Sequence, residues 1–124
     1  MTMIRTLAAL VVLATAAPAA AQGFGDRMRA IQANLPLVEI TKAEIIPGGM
    51  LPGVLVEVVN KGDHTFQMVN VSCRVLKGGE TAIVVDVPLT NVQPGDVAAG
   101  EGFAMDAGRM AGADDVACRI AGGL

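Results

Sequence analysis

The chain predicts an all-β protein, a sandwich of six or seven short strands preceded by one short helix. Three observations carry that expectation. From Leu37 onward apolar residues recur with a period of two, as strands with one buried face require. Clusters of Gly, Pro, Asn and Asp interrupt the runs at roughly ten- to fifteen-residue spacing, the rhythm of sandwiches and barrels. Two cysteines, Cys73 and Cys118, each fall on the apolar side of their own strand, where a disulfide in a sandwich core would place them.

The chain opens with an address. Arg5 gives a positive start, Leu7 to Ala17 is an apolar run interrupted only by Thr15, and Ala19-Ala20-Ala21 supplies the small residues a signal peptidase cuts after. The run is too short to span a bilayer, which takes about 20 residues. Residues 1–21 are therefore expected to be a cleaved signal peptide, and the mature chain to be periplasmic or secreted and free of the membrane. Residues 22–36 form a short amphipathic helix or arm: Phe24, Met28, Ile31 and Leu35 line one face, and Pro36 stops the pattern. The reading allows this stripe to dock on the domain or to hold a partner, with Phe24, Met28 and Ile31 as contacts.

Residues 37–124 make the sandwich. Between Leu37 and Ile46 the apolar face switches sides, which predicts a bulge near Thr41-Lys42, since one extra residue flips the register. Pro47-Gly48-Gly49 and Pro52-Gly53 make a turn-rich connection. Val54 to Asn60 is the next strand, and Asn60-Lys61-Gly62-Asp63 a turn. Thr65 to Lys77 is the longest strand, with Val69, Val71, Cys73 and Val75 on one face and Phe66 and Met68 on the other. Gly78-Gly79 turns the chain into Thr81 to Leu89. After Pro94-Gly95-Asp96, Val97 to Met105 puts Val97, Phe103 and Met105 on a shared face. Ala107 to Asp114 reads as a Gly-rich loop, and Asp115 to Ala121 closes the domain with Val116, Cys118 and Ile120 inward.

Composition removes several classes of function. Nine basic residues stand against twelve acidic ones, and loss of Arg5 with the leader makes the balance more negative. With no basic cluster and no aromatic platform, nucleic acid is excluded as a partner. Trp and Tyr are absent and Phe occurs three times, which argues against a sugar-binding surface. In an exported chain the two cysteines point to one disulfide, closing a loop of about 46 residues worth about 4 kcal/mol.

A Val-rich strand running into Asn60-Lys61-Gly62, then Phe66 and a Val-x-Val-x-Cys strand ending at Cys73, a Gly-Gly-Glu turn, Val92-x-Pro94-Gly95-Asp96 and a terminal Cys-Arg-Ile strand follow one another over about residues 51–120. In that order they resemble the small exported bacterial immunoglobulin-like domains of the FxLYD type. The resemblance implies an immunoglobulin-like sandwich and carries no catalytic residues.

Chemistry has little to draw on. His64 is the single histidine and Ser72 the single serine, and Ser72 sits in mid-strand rather than on the strand-to-helix elbow of a hydrolase. No catalytic residue and no cofactor is expected. The one metal alternative is soft: His64 with Met50, Met68 and Met110 offers ligands suited to Cu(I), although Met28, Met68 and Met105 lie on apolar stripes where Met fills gaps. The sequence thus points to a non-catalytic exported domain that recognises a protein or peptide partner, with a periplasmic copper-binding protein as the alternative.

Overall fold

The structure, a computed structural model, describes residues 19–47 and 52–124. The expected leader falls almost wholly outside the described residues, and so does Met50. No helix among the described residues is long and apolar enough to cross a membrane.

Strong alternation in a Val-rich chain produces two three-stranded antiparallel sheets, a β-sandwich. One sheet holds β1 (Val38–Ile46), β2 (Gly53–Asn60) and β5 (Val97–Phe103) in the order β1-β2-β5. The other holds β3 (Phe66–Lys77), β4 (Glu80–Val92) and β6 (Asp115–Gly123) in the order β4-β3-β6. The central strands supply the core: Val54, Val56 and Val58 of β2 and Val69, Val71, Cys73 and Val75 of β3 are completely buried. Each such Val is worth about 1.5–3 kcal/mol relative to an exposed one. Branching at Cβ also favours the pleated backbone.

The expected bulge is present. Ile40 pairs with Val58 but Lys42 with Glu57, so Thr41 is the extra residue and the apolar face changes side there. The β3–β4 hairpin turns on Gly78 and Gly79, both at positive φ (60° and 83°), the backbone a two-residue type I′ turn demands.

β5 inverts the expectation. Val97, Phe103 and Met105 face solvent, Met105 being 95% exposed, and the inward side carries Ala98, Gly100 and Gly102. The reason is close approach. A Cβ on Gly102 would meet the Val85 side chain at 2.8 Å and the Val87 side chain at 2.9 Å. The bare inner side of β5 lets the edges of the two sheets come together, with the side chains of β4 filling the space. Ala104, just past the strand, is buried.

β4 runs past Leu89 to Val92, with Asn91 at φ 54° turning Val92 back into the core. Phe66 and Met68, expected on one face, part company: Phe66 is buried and Met68 is exposed. Phe66 closes one end of the sandwich against Gly123, where a Cβ would lie 3.0 Å from its ring. His64 stacks edge-on to it at 4.7 Å. The expected loop after β5 contains a one-turn helix, α2 (Ala107–Met110), which buries Met110.

The N-terminal helix, α1, runs Ala19–Asn34, and Pro36 converts its end into a 3₁₀ turn, Leu35–Leu37. Of the expected stripe, Ile31 is buried and Leu35 packs on the core, whereas Phe24 and Met28 are exposed.

Candidate functional site: the open edge of β6

The disulfide defines the geometry of this edge. Cys73 and Cys118 are bonded, but they lie on neighbouring strands of one sheet instead of bridging the two sheets. Their Cα atoms are 4.0 Å apart. That is the spacing of an antiparallel pair that exchanges no backbone hydrogen bonds. Cys118 therefore turns its N–H and C=O away from β3, and by alternation so do Val116 and Ile120. The Val116 N–H donates to the Oδ1 of Asp115 at 2.8 Å, as a group turned away from β3 can.

Among the described residues no backbone hydrogen bond joins this row to β1, which faces it from the other sheet. The free stretch is Asp115 to Ile120. It ends where Ala121 is inserted as an extra residue, Val71 pairing with Ile120 and Asn70 with Gly122. Beyond that point Leu35 covers Gly123. Beside Ile120 lies a mainly apolar groove of about 440 Å³ lined by Gln32, Leu35, Pro36, Val38 and Ile120. On the outer face a smaller hollow of about 100 Å³ is formed by Ser72, Arg74, Ala117, Cys118 and Arg119.

The other three edges are blunted by the usual devices. β4 carries Pro88 and is flanked by the inner side of β5. β1 is broken by the bulge at Thr41 and carries Glu39, Lys42 and Glu44. β5 carries Glu101 and lies along β4. β6 likewise carries the charges Asp115 and Arg119 and lies along β1 of the other sheet, but over Asp115–Ile120 it has no proline and no bulge.

Of the residues expected to hold a soft metal, Met50 lies outside the described residues, and the others are not all brought together. His64 and Met68 sit at the start of β3. Met110 is buried near its far end, where the adjoining Asp114 N–H bonds to the Leu76 carbonyl at 3.0 Å. About 25 Å of extended chain separates Met68 from Leu76. Met110 therefore fills the core, while Met28, Met68 and Met105, expected on apolar stripes, are exposed. No group of three His, Cys, Asp or Glu side chains suited to a metal occurs among the described residues. Ser72 lies on the outer face of β3, eight positions along an extended segment from His64, so the two are far outside hydrogen-bonding reach.

Val116, Cys118 and Ile120 face inward as their alternation predicts, but that alternation does not single out this edge. The available signal was the pair of opposite charges, Asp115 and Arg119, placed symmetrically about Ala117. No protein family, curated protein or solved structure matches the chain.

Proposed function

We propose that this protein is a non-catalytic binding domain, exported to the periplasm and related to the FxLYD-type domains, which captures an extended segment of a partner protein by strand addition at β6. The observation that supports this reading is the row of outward backbone groups at Val116, Cys118 and Ile120 beside the apolar groove of Leu35, Pro36, Val38 and Ile120. Main-chain hydrogen bonds to an added strand supply affinity, and a neighbouring pocket supplies side-chain selectivity. The apolar run of residues 7–17 and the disulfide support export to an oxidising compartment.

The test is Val116→Pro. Proline removes an N–H that points away from β3, and edge strands tolerate it there. The tagged variant should remain folded by circular dichroism and lose capture of its partner from periplasmic extract. Undiminished capture by the folded variant refutes the reading.

A further inference from the structure

We infer that the partner of this edge is a second copy of the chain, paired antiparallel through β6 about a two-fold axis at Ala117. The inference rests on the strand-addition reading, because it names the occupant of the same edge.

Register decides the occupant. The backbone groups free to pair are those of Val116, Cys118 and Ile120. In an antiparallel ribbon, two residues that exchange hydrogen bonds must both point their groups at the partner. Centring the two-fold axis on Ala117 sets Val116 opposite the second copy's Cys118, and Cys118 opposite its Val116. Both members of each pair then have outward groups. The same register sets Asp115 opposite the second copy's Arg119, and Arg119 opposite its Asp115, at positions where side chains approach most closely.

Shifting the axis to Cys118 loses both charge pairs, and shifting it to Arg119 sets the two arginines against each other. Only the Ala117 axis satisfies backbone and charge together. Ala117 meets its own copy at the axis, where a small side chain fits between the ion pairs. The charges are also available. Asp115 and Arg119 are exposed, and neither makes an ion pair among the described residues. Among the described residues the Asp115 carboxylate accepts the Val116 N–H alone. On pairing, that N–H passes to the partner's Cys118 carbonyl, and the carboxylate turns to the partner's Arg119. The interface is isologous, as closed dimers require.

Sedimentation equilibrium of the oxidised chain, with the variants Arg119→Asp, Asp115→Arg and the double swap, tests this. The wild type should be a concentration-dependent dimer. Each single swap turns two attractive cross-strand pairs into two repulsive ones and should weaken association about tenfold. The double swap restores both pairs and should return to the wild-type range. A wild type that stays monomeric at millimolar loading overturns the proposal, as does a dimer indifferent to the single swaps or a double swap as weak as either single. Amide exchange then separates this failure from that of the edge reading. If the wild type is monomeric but a synthetic Thr-Val repeat peptide protects the N–H groups of Cys118 and Ile120, self-pairing falls and strand addition stands. If the peptide protects neither, both fall.

Discussion

Asn60 is the buried polar residue among the described ones, and it shows how one side chain ties three segments together. Its Nδ2 donates to the carbonyls of His64 at 2.7 Å and Val92 at 3.3 Å, and its Oδ1 accepts the Gly62 N–H at 3.0 Å. Its backbone N–H and C=O are bonded to the Asp96 carbonyl and the Gly95 N–H of the Pro94-Gly95-Asp96 turn. The end of β2, the turn into β3 and the turn between β4 and β5 therefore meet on one residue. Replacing it with Ala leaves a buried N–H and two carbonyls without their partner, each an uncompensated desolvation. Asn60→Ala should lower the unfolding free energy by about 2–4 kcal/mol in urea titration. An exposed Asn such as Asn91 provides no such network, and the distinction was invisible in the sequence, where Asn60 read only as the start of a turn. The long-range partner, Val92, is 32 positions away, beyond the reach of any local pattern.

Elements were legible wherever burial follows period two. β2, β3 and β6 came out within two residues of their observed ends, and the Thr41 bulge could be located because the apolar face visibly changes side there. β5 was not legible for the same reason. The rule assigns the large apolar residues to the core, and β5 turns its smallest residues inward because the side chains and backbone of β4 already occupy the volume a side chain would need. The helical stripe was legible as a face, but periodicity does not say what covers it: Ile31 is buried and Phe24 is 67% exposed. The β5 packing has a direct test. Gly102→Ala forces its Cβ against Val85 and Val87 and should destabilise the protein by about 1–3 kcal/mol, the range for overpacking. Gly122→Ala, where a Cβ meets nothing within 4 Å, serves as the control and should shift stability by less than about 0.5 kcal/mol. Equal effects of the two substitutions would contradict the role given to the bare inner side of β5.

At the scale of the whole molecule the two sheets share a thin core with no Trp or Tyr, and the disulfide bears on stability through chain entropy more than through contacts. It spans a sequence separation of 45 residues, enclosing the hairpin, β5 and α2 between its ends. Yet it joins two strands that are already hydrogen-bonded neighbours. Reduction therefore leaves the β3–β6 ladder in place and mainly releases the unfolded chain. Cys73→Ala/Cys118→Ala should lose about 2–5 kcal/mol of stability while keeping the strand content of the wild type in far-ultraviolet circular dichroism. A variant that loses its sheet signal under native conditions would show instead that the bond is needed to align the strands. The edge would report on this as well. The outward direction of Val116, Cys118 and Ile120 is set by the β3–β6 register, which the ladder fixes without the bridge. The double variant, once folded, should therefore still self-associate, and its dissociation constant should stay within about threefold of that of the oxidised wild type when read at the same fraction folded. Loss of association in a folded double variant would mean that the disulfide, and not the strand alone, builds the pairing surface.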